Sequence, residues 1–429
     1  MPPNSYAIFH PTIEQELVLA LLGSASEAPD REVILGLLDQ ASWSEFFRVT
    51  EYALYPYLCY ALDQRHALNA IPQEARAKLD QARQAAIIRR IRRQKVLREL
   101  LQLLERRGIP AIVLKGAALA YLVYRDPYTR HMADLDILVP AAQVESAEEA
   151  AQEIGWTLLV PRECLLPNPL RRHRVMVRKA EGIGEMVEFH GDICSSRPPF
   201  RLDLESTWQR SWQVELNGIP ARVLHPHDFL KHICLHVSFS HNFVRSLHWL
   251  LDVCLCTEQW EKAIDWDKLA DECIQQESAA FVYLTLKLAH DLLHAKVPMR
   301  FFESLPKPRN LQQVETNAWD QIWYSNVRGN PMNLLVTIHD SRSLRLGVTI
   351  VMERVRAWIS RDSTSGNGMT SNGFQIRTAL NRFCWDLKAQ THSYKYNLKT
   401  GGYARPNLRL AAEVRRRRES FKKLTEDWK

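Results

Sequence analysis

The sequence predicts an α+β protein in which a small mixed-sheet α/β core is flanked by N-terminal and C-terminal helical regions. Three observations carry that expectation. Apolar residues recur at three- and four-residue intervals from Thr12 to about Arg107, short β-type runs alternate with helices from Gly108 to about His225, and helical spacing then returns. The expected organisation is therefore 1–107, a helical region; 108–225, the α/β core; 226–300, a helical domain on the substrate side; and 301–429, a C-terminal region.

Composition sets broad limits. The chain has 429 residues, 46% hydrophobic and 24% charged, which suits a globular protein with a real core and argues against disorder as the default. A formal net charge of +7 is compatible with an anionic ligand such as nucleotide or nucleic acid without requiring one. The first eleven residues lack the basic stretch and apolar run of a signal peptide, and no apolar run reaches the eighteen or so residues of a membrane span, so a cytoplasmic location with no membrane partner is expected. The eight cysteines, at 59, 164, 194, 234, 254, 256, 273 and 384, form no CxxC pair and are read as reduced thiols, mostly buried.

In the N-terminal region the clearest helix runs from about Pro72 to Arg107 and stops at Gly108, a suitable C-cap. Its basic cluster, Arg89, Arg90, Arg92, Arg93 and Lys95, reads as a solvated helix face in preference to a nucleic-acid or phosphate contact. Ile109 to Leu114 is then a short apolar strand, Ala117 to Tyr124 a helix, and Met132 to Val139 a second strand closed by Pro140. A helix over Glu145 to Ile154 and strands over Thr157 to Val160 and Met186 to His190 complete the core. After Leu224 the segment His225-Pro226-His227-Asp228 starts a helical half, through Phe229 to His241, Leu247 to Trp260 and Trp266 to Leu293. Residues 360–373, rich in Ser, Gly and Asn, read as a loop, and Arg415 to Arg418 as a solvated basic tail ahead of an RNA contact.

The chemistry gathers on the second of those strands. Side chains alternate along a strand, so Asp134 and Asp136 of Asp134-Leu135-Asp136-Ile137 present two carboxylates to one face. Such a pair calls for a cation, and oxygen ligands suit Mg²⁺. A bare DxD is more often an exposed edge, so context decides. Glu188 lies in another strand, where its carboxylate would converge on the same ions and accept the proton of an attacking hydroxyl; three carboxylates imply two metal ions. Lys115-Gly116 sits at a strand-to-helix turn, where glycine permits close backbone approach, the helix N-terminus offers free N–H groups to phosphate, and lysine adds charge. The GxxxxGK[ST] spacing of a Walker A loop is absent.

The stretch Gly108-Ile109-Pro110-Ala111-Ile112-Val113-Leu114-Lys115-Gly116-Ala117-Ala118-Leu119, followed by Tyr124, Asp126, Pro127, Arg130, Met132 and Asp134-Leu135-Asp136, resembles an uncharacterised bacterial nucleotidyltransferase family, nucleotidyltransferase family 5, of the polymerase-β-like superfamily. Glu188-Phe189-His190 resembles its later acidic-x-His strand, and His232 to His241, Trp249-Leu250-Leu251-Asp252 and Asp265-Trp266-Asp267 resemble its helical half, so the likeness spans roughly residues 85–295. Two positions depart: Glu188 stands where Asp is expected, moving the oxygens by about 1.5 Å, and Gly191 follows His190 where an aromatic is usual.

The resemblance implies a metal-dependent enzyme that moves a nucleoside monophosphate from an NTP, with ATP the expected donor, to an acceptor and releases pyrophosphate. Asp134, Asp136 and Glu188 would hold two Mg²⁺ (or Mn²⁺) ions, and Lys115 and Gly116 the phosphates. Arg130 either touches the triphosphate or neutralises Asp134, two readings the sequence leaves level. His190, on the strand face of Glu188, reads as a satisfied core histidine ahead of a group supporting the metal ligands. The implied acceptor is a small metabolite, a peptide or natural product intermediate, or a carbohydrate, with nucleic acid less favoured. A non-catalytic nucleotide- or partner-binding module and a kinase-like transfer of the γ-phosphoryl group are the competing readings. His232 and His236, at i and i+4, lack the Glu of HExxH and are assigned to helix packing or a substrate phosphate, and Trp249, Trp260 and Trp266 to packing.

Overall fold

The computed structural model describes residues 9–24, 29–159, 173–180, 183–194, 200–307 and 311–323, all within the first of the chain's two units, Met1–Ile350. The expected loop at 360–373, the basic tail at 415–418, Cys164 and Cys384 fall outside the described residues.

The N-terminal helices are α1 (Ile13–Leu22), α2 (Arg31–Gln40), α3 (Trp43–Val49), α4 (Tyr55–Gln64) and α5 (Gln73–Arg106). A capping box starts α1: Gln15 N–H donates to Thr12 Oγ1, and Thr12 N–H donates to Gln15 Oε1 at 2.9 Å. Helix α5 ends as its sequence predicts. Gly108 adopts φ +65°, its N–H donates to the Glu105 carbonyl, and Ile109 N–H donates to Leu104, which together make a Schellman motif with Ile109 and Leu104 both buried.

The fold is α+β, with a mixed seven-stranded sheet in the order β3-β4-β5-β2-β1-β7-β6. The strands are β1 (Ile112–Val113), β2 (Leu135–Leu138), β3 (Thr157–Leu158), β4 (His173–Ala180), β5 (Ile183–His190), β6 (Trp212–Glu215) and β7 (Pro220–Val223). Strand β1 is shorter than expected because Pro110 has no N–H to donate and Lys115 already opens α6 (Lys115–Leu122). It pairs antiparallel with β2 and parallel with β7, while β2 runs parallel to β5. Helix α7 (Val144–Glu153) follows β2. Sequence reading missed β4, β6, β7 and α8 (Leu204–Arg210). The β6–β7 hairpin did carry a signal: Asn217 and Gly218, at φ +51° and +76°, form a two-residue turn of the type that favours Asn-Gly.

The helical half contains α9 (Pro226–Leu235), α10 (Leu247–Gln259), α11 (Trp266–Gln275), α12 (Ala279–Leu293), α13 (Met299–Ser304) and α14 (Leu311–Trp323). The expected continuous run from Trp266 to Leu293 is broken between α11 and α12, where Glu277 takes φ +60° and the Gln276 carbonyl accepts from Arg201 N–H. Helix α9 passes into a π-helical turn at His236–Ser240. Among the described residues all six cysteines are free and buried, and no helix is long and apolar enough to cross a membrane.

The basic face of α5 corrects the expectation of a solvated surface. Arg90 and Arg93 are buried, three residues apart and so on one helix face. Arg90 Nη2 donates to the Arg130 carbonyl at 2.7 Å, and Arg93 donates to the carbonyls of Met132 and, at 2.7 Å, Ala133. Glu185 of β5 balances the charge, 3.2 Å from Arg92 Nε and 3.5 Å from Arg93 Nε. Replacing Arg93 by Ala removes the donors to the Met132 and Ala133 carbonyls and one of the two arginine partners of Glu185, and is expected to lower unfolding free energy by about 1–3 kcal/mol in urea titrations. Lys95→Ala, on the exposed face of the same helix, should stay within about 0.5 kcal/mol of the parent.

Candidate active site

Strands β2 and β5 build the site by their register. Leu135 pairs with Val187, Asp136 with Glu188, Ile137 with Phe189 and Leu138 with His190. Paired positions share a sheet face, so Asp136, Glu188 and His190 stand together while Leu135, Ile137, Val187 and Phe189 bury the other face. Asp136 Oδ1 accepts from Lys115 Nζ at 2.7 Å and lies 2.7 Å from His190 Nε2, which is 3.4 Å from Glu188 Oε2. Asp136, Glu188 and His190 each offer one ligand atom, and the three atoms lie within 4.8 Å of one another.

Lys115 reaches Asp136 from the first residue of α6. Its backbone is left-handed, at φ +42°, a conformation that disfavours any residue other than glycine and that persists where the surroundings enforce it. The adjoining Leu114 N–H donates to the Asp136 carbonyl at 2.9 Å, which fixes the helix start against β2. No side chain caps this N-terminus, and the protein leaves room for a Cβ at Gly116, whose nearest neighbours, Arg130 Nη1 and Met132 Cγ, would lie 3.6 Å away.

Asp134 stands at the bend just before β2, outside the tight trio but within electrostatic reach of Asp136, Lys115, Glu188 and His190. The strand begins only at Leu135, so regular pleating does not carry Asp134 into the cluster. Burial and the neighbouring Asp136 charge push its carboxyl up to about 6. Burial would raise Asp136 as well, but Lys115 and His190 outweigh it and hold that carboxyl well below the usual range. Burial opposes the charged form of His190, yet its contacts with Asp136 and Glu188 leave its pKa raised. Sequence reasoning, which favoured a core histidine, underrated this residue; it is buried, but among the acids.

Arg130, which the sequence leaves between a triphosphate contact and neutralising Asp134, is paired with Asp252. Its Nε and Nη2 donate to the two oxygens of Asp252 at 2.7 Å each, both residues are buried, and Tyr124 O–H donates to Asp252 Oδ1 at 2.6 Å. The fork of the guanidinium is filled by a carboxylate of α10, joining the start of β2 to the helical half.

His232 and His236, which the sequence assigns to helix packing or a substrate phosphate, lie within reach of the same charges. His232 of α9 is 1% exposed, and neither ring nitrogen has a hydrogen-bond partner among the described residues. Burial, with the charge of Lys115, drives its pKa down to about 3, and it also feels Asp136 and His190. His236 responds to Lys115 and His190 in the same sense. The i, i+4 spacing of the two histidines was the available signal.

A family model described as an uncharacterised nucleotidyltransferase matches residues 39–294, more than half of the chain. The chain belongs to that uncharacterised nucleotidyltransferase family. Its matched span holds Lys115, the β2 and β5 residues, and Asp252. A solved structure, described as an antigenic nucleotidyltransferase-like protein from Paracoccidioides brasiliensis, is 16% identical, with the alignment covering 49% of this chain and 95% of that chain at a TM-score of 0.28. No curated protein matches the chain.

Two measurements test the packing of this family member around the site. Asp252→Ala leaves Arg130 buried and unpaired and should destabilise by about 3–5 kcal/mol in chemical denaturation. His232 has a folded pKa of about 3 and an unfolded one near 6.5, so the unfolded chain binds the extra proton. Its contribution to stability is whole above pH 6.5 and declines as pH falls from there toward 3. The stability of the parent relative to His232→Leu should therefore drop by about 2 kcal/mol between pH 7 and 5, a trend that urea midpoints at matched pH will resolve.

Proposed function

We propose that this chain transfers a nucleoside monophosphate from an NTP, with ATP the expected donor, to an acceptor hydroxyl or phosphate and releases pyrophosphate. The observation that carries the reading is the in-register convergence of Asp136, Glu188 and His190 on two parallel strands, facing Lys115 at an uncapped helix start. Family membership supports nucleotidyl transfer as the reaction class.

The donor set fits a divalent cation. Asp136 and Glu188 supply oxygens and His190 a nitrogen within one small cluster, beside which the Asp134 carboxyl is raised by burial first and by the Asp136 charge second. Asp136, Glu188 and His190 would hold the ion, with Asp134 beside them. Bound there, Mg²⁺ or Mn²⁺ would neutralise triphosphate oxygens and stabilise charge built up at the α-phosphorus.

The chain's own residues account for the remaining steps. Lys115, paired with Asp136, would turn to a phosphate oxygen in the nucleotide complex, and the N–H groups at the start of α6 would receive further phosphate oxygens. Gly116 lets the ligand approach the backbone there, a role that packing within the protein does not require. Glu188 accepts the proton of the acceptor as its oxygen bonds to the α-phosphorus, while the α–β bridging bond breaks and pyrophosphate leaves with the electron pair. Arg130 acts through Asp252, positioning the start of β2 against the helical half, rather than on phosphate. The helical stretch 226–300 forms the substrate side, and the acceptor class is a small metabolite, a peptide or a carbohydrate.

Titration calorimetry with ATP and Mn²⁺ tests the reading. Asp136→Asn should weaken metal-dependent ATP binding at least about a hundredfold, comparable to the loss of a metal ligand's hydrogen-bonded support or more. Lys115→Ala should weaken ATP binding yet tighten Mn²⁺ binding without nucleotide, because it removes a cation that competes for Asp136. Pyrophosphate release with an acceptor confirms nucleotidyl transfer. ADP release instead means attack at the γ-phosphorus, and metal-dependent binding without turnover against any acceptor class means a binding module.

A further inference from the structure

Around Trp249 of α10 four aromatic rings meet that the proposed chemistry does not use. The Trp249 ring centroid is 5.1 Å from that of His236, 4.2 Å from His241 and 4.2 Å from His248, and His236 lies 4.4 Å from His241. His236, His241 and Trp249 are half-buried, so the patch is neither core nor open surface. His232, with its ring centroid 6.1 Å from His236, extends the group inward.

The patch lies within electrostatic reach of the acidic cluster. His232 lies close enough to Lys115, Asp136 and His190 to feel their charge, and His236 close enough to Lys115 and His190. The backbone beneath it is irregular: a π-helical turn at His236–Ser240 is followed by three non-glycine residues, Asn242, Phe243 and Arg245, at φ +50°, +57° and +47°. Such departures concentrate where a site has to be shaped.

From this geometry we infer that His232, His236, His241 and Trp249 form the wall that receives the nucleobase of the NTP, an inference that rests on the nucleotide reading above. Burial keeps His232 and His236 uncharged, so the wall offers ring faces and neutral donor and acceptor nitrogens rather than a positive field. A phosphate or carboxylate would gain little from it. A base is planar, neutral and rimmed with donors and acceptors, which suits stacking on these rings and pairing with a buried imidazole that has both nitrogens unpartnered among the described residues.

The test compares ATP with ribose 5-triphosphate, which lacks only the base, each titrated with Mn²⁺ into the full chain. The parent should prefer ATP by about tenfold to a hundredfold, the range set by stacking on an aromatic side chain. His236→Ala and Trp249→Leu should remove that preference while leaving ribose 5-triphosphate binding unchanged. Equal binding of both ligands by the parent, or a preference that survives in both variants, overturns the wall and leaves the nucleotide reading standing. Failure of the parent to bind either ligand with Mn²⁺ overturns both. Should the variants not fold, saturation-transfer NMR on the parent decides: adenine H2 and H8 must receive saturation from protein aromatic protons, and its absence rejects the wall.

Discussion

The architecture of the site depends on how the chain between Arg130 and Asp134 satisfies its backbone. These residues approach the sheet but precede the first paired residue of β2, so their carbonyls have no ladder partners, and Arg130 and Met132 are buried. Arg90 and Arg93 of α5 supply the donors, and Glu185 of β5 offsets the guanidinium charge. One helix thereby fixes both the approach to the acidic strand and the strand beside it. Asp134 and Asp136 are delivered to their places by contacts that touch neither carboxylate.

A second constraint is charge. Asp134, Asp136 and Glu188 concentrate three carboxylates in a largely buried space, and the protein answers with Lys115 and His190. The answer is incomplete, since Asp134 resists ionisation while Asp136 gives up its proton readily. Two like groups so close are driven apart in this way whenever only one can be fully compensated. Burial contributes most to the rise of Asp134 and the Asp136 charge adds to it; under the proposed function a divalent cation would relieve that crowding.

Much of this was legible in the sequence. The long α5 and its glycine stop, the strand-turn-helix-strand around Lys115-Gly116, and the strand bearing Glu188 follow from periodicity and turn chemistry, and their order defines the α+β core. What escaped has identifiable reasons. Strand β4 is rich in basic residues and lacks clean alternation, and β6 and β7 are four residues each, although Asn217-Gly218 announced their turn. Arg90 and Arg93 looked like surface charge because their partners lie 39 to 40 residues away, and the pairing of Arg130 with Asp252 was not legible because Asp252 is 122 residues distant. Spacing along the chain reveals faces and periods; it does not reveal which remote carbonyl or carboxylate a buried guanidinium will find.

The pairing of β2 with β5 has a consequence for how this site can diverge over time. The connection between the two strands runs through α7, β3 and β4, and changes of length there leave the four paired positions as they are. Parity within the strands is another matter, because a single inserted or deleted residue inside β5, ahead of Glu188, would exchange Glu188 and His190 for their apolar neighbours. Descendants of this sequence are therefore free to elaborate the crossover and the outer strands, while β2 and β5 can change only by substitution.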